Sequence, residues 1–326
     1  MQTLLLADTN RHTTRLGFGC SRTMGAMGRR ESLRLLEFAY DAGIRHFDVA
    51  PMYGYGEAEG CLGEFLQRHH DVTVATKYGI PPARNSNLLR VARQVAGPLL
   101  QNLPALKDRA AKLANAAATH RQVRPAFTAV EARASLERSL AALRTDRIDL
   151  WLLHEVTASD LQDESLLRFL EGQVARGTIG AFGIGSEAEK IPALLAHRPA
   201  YCRVLQQEWS VLSKPVPPSN AFRIHHRTLT EDFRTLHAAL LTNAAIRQRW
   251  SEAVNTDLTD ANQLARLMLK AALVMNPASI ILFSSKRAEH VRANVETAEN
   301  PALDAPSRMF YQIVQAEAGQ LLPSAK

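Results

Sequence analysis

The sequence predicts an α/β fold, a (β/α)8 barrel of the TIM type with an extended helical insertion after its third strand. Three observations carry this expectation. From residue 14 onward, short apolar runs alternate with longer segments of helical spacing, the order expected of strand and helix units around a parallel sheet. Eight such runs occur, and the near-continuous apolar character of those at 44–50, 72–77 and 148–154 is what burial on both faces of a parallel sheet demands. The link from the third run to its helix, normally a few residues, is here about forty residues long.

The first strand is RLGFG at 15–19, followed by the helix RRESLRLLEFAYDAG. In that helix Leu35, Leu36, Ala39 and Tyr40 form one apolar stripe, and Gly43 supplies a left-handed stop. IRHFDVA at 44–50 is the second strand, and a helix runs from about residue 57 to 69. VTVATK at 72–77 and IDLWLLH at 148–154 are the third and fourth strands. IGAFGIG at 179–185, RVLQQ at 203–207, AFRIH at 221–225 and SIILF at 279–283 complete the eight. Helices are expected over 131–142, 160–175, 187–196, 231–250, 259–275, 288–297 and around 308–320. An open doubly wound sheet would carry GxGxxG after an early strand, and GFGCSR lacks the final glycine. A closed barrel forming a single domain over 1–326 is therefore expected.

Composition narrows the classes further. With 46% hydrophobic and 22% charged residues, and 17 glycines and 15 prolines spread along the chain, collagen-like and disordered readings fail. Cys20, Cys61 and Cys202 are far apart and odd in number, which disfavours a disulfide framework and fits a reducing compartment. The opening MQTLLLADTNRHTTR has no basic segment followed by an apolar run, and no apolar stretch is long enough to span a bilayer; a cytoplasmic protein without a membrane partner is expected.

The net charge of +7 is concentrated between Arg84 and Arg124, where eight basic residues face one acidic residue. Helical spacing there is interrupted at Gly97, Pro98 and Pro104, predicting two or three small helices. A loop following a barrel strand emerges on the catalytic face, so the 84–124 insertion should stand beside the active site. A basic cap that meets an acidic substrate or partner is one reading, and a solvated helical face is the other. Nucleic acid is not expected, because the block lacks interleaved aromatics.

Asp48, Lys77 and His154 fall at the carboxyl ends of predicted strands, and Tyr53 follows the second strand in the turn PMYGYG. Catalytic groups of such barrels collect at these ends. Each residue alone also has a structural reading: a turn cap, a strand end, or a core histidine.

The segment FDVAPMYGYGEAEGCLGEFL resembles the aldo-keto reductase signature, with a strand-end Asp, a Tyr-Gly turn and a Glu-x-x-Leu-Gly helix start. VATKYG resembles that family's catalytic lysine strand, DLWLLHEV its histidine strand, IGAFGIGS its cofactor-contacting strand and ILFSSKRAEHVRANVE its phosphate-binding segment. The resemblance covers about residues 14–300, apart from the insertion. It implies NADPH-dependent reduction of a small aldehyde or ketone, with Tyr53 as proton donor. An isolated phenol, with a pKa of about 10, is a weak acid near neutrality. The resemblance implies that Lys77 lowers that pKa, that Asp48 holds Lys77 charged, and that His154 positions the carbonyl oxygen.

For the cofactor the resemblance implies Gly19, Cys20 and Asp48 beside the nicotinamide, together with Ser186, Gln206 and His226. Ser284, Ser285, Lys286 and Arg287 precede a helix, an arrangement suited to an anion. By resemblance they hold the 2′-phosphate, with His290 and Asn294 at the adenine, which favours NADP(H) over NAD(H). Two departures stand out: Gly185-Ser186 replaces the usual Ser-Asn, and His226 replaces an aromatic platform, so a weaker hold on the nicotinamide is expected. Adjacent His225 and His226 point to opposite faces of a strand, and HEVT lacks the second histidine of HExxH, so no metal site is expected.

By the same resemblance Ser21, Met52, Tyr53, His154 and Glu155 face the substrate, and Ser21 with Gly79 suggests a roomy entrance. Glu155 either contacts substrate or pairs with an arginine of the insertion. Two other functions stay open: a nucleotide-binding redox sensor with little turnover, and an NADP-dependent alcohol or sugar dehydrogenase working in the oxidative direction.

Overall fold

The computed structural model describes residues 1–25, 27–82 and 126–321. The insertion predicted over 84–124, with its helices and its place at the barrel mouth, lies outside the described residues.

Two short strands, β1 (Thr3–Leu5) and β2 (His12–Thr14), pair antiparallel ahead of the barrel. The eight barrel strands are β3 (Leu16–Gly19), β4 (His46–Asp48), β5 (Thr73–Tyr78), β6 (Ile148–His154), β7 (Ile179–Gly185), β8 (Val204–Glu208), β9 (Phe222–His226) and β10 (Ser279–Phe283). They close in the order β10-β3-β4-β5-β6-β7-β8-β9, every pairing parallel. The eight strand runs read from the sequence are these eight strands.

Alternation along each strand sorts the side chains. Ala75, Leu150, Leu152, Ala181, Val204, Ile224, Ile280 and Leu282 fill the barrel interior as one buried cluster. Their outward neighbours, among them Phe18, Phe47, Val74, Trp151, Leu153 and Ile281, pack beneath the helices. Gly43, at φ 94°, ends the helix Arg29–Asp41 in the left-handed conformation expected of it.

Two features differ from the sequence expectation. The β1–β2 hairpin was not anticipated, because three-residue strands carry no readable period. It sends Leu6, fully buried, into the interior cluster, and it is tied to the barrel by Thr13 Oγ1 to Thr73 Oγ1 at 2.7 Å and by Arg11 to the Val72 carbonyl at 2.7 Å. The single helix expected over 231–250 is two, Glu231–Thr242 and Ala244–Val254. The break falls at Asn243, whose side chain caps the second helix by accepting from the Ile246 amide at 3.1 Å. These two helices, with Ala261–Met275 and Asp304–Leu321, enclose a second core around Trp250, Phe310 and Met268 on the flank of the barrel.

Candidate active site

The strand alternation that fills the barrel also selects what stands at its carboxyl-terminal end. Gly19, Asp48, Lys77, His154, Gly185, Gln206 and His226 all have the inward parity of their strands, near the upper ends. Lys77 faces Leu152 across the β5–β6 pairing, so His154 stands one inward step above it on the neighbouring strand. His154 in turn pairs with Gly185, and Gly185 with Gln206.

Lys77 and Asp48 are each 3% exposed. Lys77 Nζ donates to Asp48 Oδ1 at 2.6 Å and to the Val49 carbonyl at 3.0 Å. The other carboxylate oxygen, Oδ2, accepts from Gln206 Nε2 at 2.8 Å, so both Asp48 oxygens are engaged. Burial works against the Lys77 charge, but Asp48 and the Tyr53 phenol outweigh it and hold the ammonium above its ordinary value.

Tyr53 opens the turn Tyr53–Gly56, in which Gly54 (φ 58°) and Tyr55 (φ 59°) are both left-handed. At Gly54 a side chain would also collide, since a Cβ would lie 2.7 Å from the Thr23 carbonyl oxygen. The turn brings the Tyr53 ring over Lys77, whose Nζ is 5.4 Å from the ring centroid. Burial is the largest influence on the phenol and pushes it up; Lys77 pulls it back only in part, leaving Tyr53 above its ordinary value. Lys77 thus pulls the phenol down as expected, while burial, which the sequence does not reveal, is the larger influence.

The remaining predicted residues divide. His154 is half-buried at the end of β6. His226 is half-buried, and burial followed by the Lys77 charge pushes it down to about 3, which keeps its ring neutral and places it within reach of the Lys77 field. His225 points away from the barrel axis, buried beside Trp209. Cys20 is fully buried, and burial followed by the Asp48 charge drives its thiol well above the usual range. Ser186 is buried and its hydroxyl donates to the Val156 carbonyl at 2.9 Å, so its proton is already committed. Among the described residues no three of His, Cys, Asp or Glu come together as a metal site.

At the opposite wall, Ser284 Oγ donates to the Gly19 carbonyl at 2.8 Å and lies 3.1 Å from Ser21 Oγ, both serines being exposed. A Cβ at Gly19 would meet Ser284 Oγ at 2.7 Å, so a larger residue there would displace that hydroxyl. The helix Ala288–Glu299 begins at Arg287 with no side-chain cap. Its first-turn N–H groups stand beside exposed Lys286 and Arg287, while Ser285 Oγ accepts from the Arg287 amide at 3.0 Å. A phosphate fits such a donor set. Exposed His290 and half-buried Asn294 lie on the following turns of the same helix.

Two expectations about the mouth change. Gly79 does not widen the entrance: at φ 136° it is buried, and a Cβ there would lie 2.6 Å from the His154 carbonyl oxygen and 2.8 Å from the Phe127 ring. Glu155, at φ 56°, pairs with Lys190 at 3.1 Å, and Lys190 also pairs with Glu187 at 2.9 Å. A pairing of Glu155 with an arginine of the insertion falls outside the described residues. Met52, half-buried, directly precedes Tyr53. The bond from Gln206 to Asp48 was missed by sequence reasoning, although inward parity two residues beyond Val204 would have aimed Gln206 at the same axis.

The model of the aldo/keto reductase family matches residues 15–308. D-threo-aldose 1-dehydrogenase of a Pseudomonas species is 34% identical over 180 residues, 52% of this chain and 49% of that protein. Pyridoxal 4-dehydrogenase of Microbacterium luteolum is 36% identical over 99 residues, 26% of this chain and 29% of that protein. The matched segments thus span half or less of these curated relatives. A glycerol dehydrogenase structure from Gluconobacter oxydans superposes with a TM-score of 0.70 at 17% identity, covering 99% of this chain and 97% of that one. The holo form of an aldo-keto reductase from Bacillus halodurans gives 0.67 at 20% identity, covering 96% and 95%. At these identities the likeness is one of fold.

Proposed function

The chain belongs to the aldo/keto reductase family, and from that premise we propose that it is an oxidoreductase reducing an aldehyde or ketone to an alcohol, with NADP(H) preferred over NAD(H). The observation that carries this reading is the buried Gln206–Asp48–Lys77 chain of hydrogen bonds ending beneath the Tyr53 ring.

A reduced nicotinamide bound at the barrel mouth supplies the hydride. Gly19, with Gln206 and His226 across the barrel, borders the space for that ring, and Ser284, Ser285, Lys286 and Arg287 suit the 2′-phosphate, with His290 and Asn294 on the adenine side. His154 donates to the carbonyl oxygen of the substrate and orients it. Tyr53 is kept protonated by burial, so the acid form is present at neutral pH. As negative charge develops on the carbonyl oxygen, the Tyr53 proton passes to it, and the Lys77 ammonium stabilises the phenolate left behind. Asp48 keeps Lys77 charged and fixed throughout. Ser21, Met52 and Glu155 border the substrate, and the eight cations of 84–124 suit an acidic substrate group or partner.

One observation favours the oxidative direction as a second reading: the relatives named above include an aldose dehydrogenase. With an alcohol or sugar as substrate the same residues run in reverse, Tyr53 taking the proton. Fluorescence titration of wild type and of Lys286→Ala/Arg287→Ala with NADPH and NADH, followed by turnover on panels of carbonyls and sugars, tests the proposal. NADPH affinity should fall about tenfold or more in the variant while NADH affinity holds, given about 1.5–3 kcal/mol for a hydrogen bond to a charged group. Binding without turnover on either panel returns the redox-sensor reading, and equal loss for both nucleotides contradicts the phosphate assignment.

A further inference from the structure

We propose that Glu59 is a positioning residue for Tyr53 and Lys77, its carboxylate tying the helix that follows the Tyr53 turn to the strand that carries Lys77. The inference rests on the catalytic reading above. Glu59 is the second residue of the helix Ala58–Leu66 and is 6% exposed, set among the buried side chains between barrel and helices. A carboxylate in such a layer is costly unless it is well partnered. Its partner is Thr76, whose Oγ1 donates to Glu59 Oε1 at 2.7 Å.

Thr76 immediately precedes Lys77, and the strand alternation turns the two side chains to opposite faces of β5. Inside the barrel, Lys77 Nζ holds the Val49 carbonyl; outside it, Thr76 holds Glu59. Tyr53 lies on the segment between these two anchors, so β5 grips both ends of the stretch that carries the phenol. The depth of the helix is set by Gly63, where a Cβ would approach the Ala142 carbonyl oxygen to 2.3 Å. Lys77, Arg138, Thr76 and Ser139 are the charged and polar groups that act on the Glu59 carboxylate. The Glu-x-x-Leu-Gly pattern of the sequence thereby gains a physical meaning: its glutamate anchors the helix to β5, and its glycine admits the neighbouring helix Ala129–Leu143.

The test compares Thr76→Val, Glu59→Leu and Glu59→Gln in the full chain, measuring kcat with a carbonyl that the wild type reduces, and NADPH affinity by fluorescence. Thr76→Val and Glu59→Leu should lower kcat about tenfold, a shift smaller than the misplacement of 1 Å that costs about a hundredfold, with NADPH affinity within about twofold. Glu59→Gln, whose side-chain oxygen still accepts from Thr76, should keep most of the rate. Wild-type kcat in Thr76→Val, or equal damage in Glu59→Gln and Glu59→Leu, overturns the proposal. Should Glu59→Leu not fold, Thr76→Val decides. Should the wild type turn over no substrate, the failure belongs to the catalytic reading, and a crystal structure of Thr76→Val then decides the tether: the 5.4 Å between Lys77 Nζ and the Tyr53 ring centroid should change, and an unchanged distance overturns it.

Discussion

Gln206 Nε2 donates to Asp48 Oδ2 at 2.8 Å, joining residues 158 positions apart at the top of the barrel. The bond leaves the amide oxygen of Gln206 facing the Gly185 position and completes the coordination of a buried carboxylate whose other oxygen holds Lys77. Gln206→Leu leaves Asp48 one donor short in a buried site, a loss on the order of 1–3 kcal/mol. The expected result is a kcat lowered about tenfold, measured beside NADPH affinity; loss of affinity alone would assign Gln206 to the nucleotide only.

Burial is the largest single influence on Lys77, and Asp48→Asn removes the stronger of the two groups, Asp48 and the Tyr53 phenol, that together outweigh it. With burial then dominant, the ammonium gives up its proton at lower pH than in the wild type. The alkaline limb of the kcat profile should move to lower pH, and the rate at neutral pH should fall about a hundredfold, as for a lost acid–base partner. A profile with an unmoved limb would show that Lys77 owes its charge to something other than Asp48.

Stability should fall as the solution is acidified through the histidine range. Burial, then the Lys77 charge, pushes His46 down to about 3, and burial, then Arg223, pushes His225 down to about 4, both well below the value near 6.5 of an unfolded chain. Between about pH 6.5 and those values the unfolded state binds protons that the folded state refuses, so stability is fully present above about 6.5 and is lost as pH drops. Each histidine contributes a slope of about 1.4 kcal/mol per pH unit in that window. Urea midpoints between pH 7 and 4.5 measure it, and His225→Gln should flatten the dependence.

Leu6→Ala empties the floor of the barrel, where Leu6 packs with Ala75, Leu150 and Val204. The cost expected for a buried leucine is about 2–5 kcal/mol. Thermal unfolding should move accordingly while kcat with a given carbonyl stays near wild type, because the residues proposed as catalytic lie at the other end.

The same contrast explains what could be read in the sequence. The barrel was legible because eight short strand runs alternate with helical segments, although β8 and β9 carry Gln206, Gln207, Arg223, His225 and His226, and the strand-end positions of Asp48, Lys77 and His154 follow from counting along the runs. The β1–β2 hairpin was not, since its three-residue strands have an exposed outer face and no period. The balance of forces on Tyr53 was also hidden: Lys77 was foreseen, but the burial that exceeds it depends on how the left-handed turn at Gly54 and Tyr55 folds the ring inward. Gly79 misled for a related reason, because a small residue at a mouth can mean close packing as readily as open space.

Tyr53 is the proposed proton donor and has no proposed part in holding the nucleotide. Tyr53→Phe, assayed with NADPH and a carbonyl that the wild type reduces, measures this directly. A proton donor at Tyr53 requires kcat to fall about a hundredfold or more with NADPH affinity unchanged; retained turnover in the variant would contradict that role.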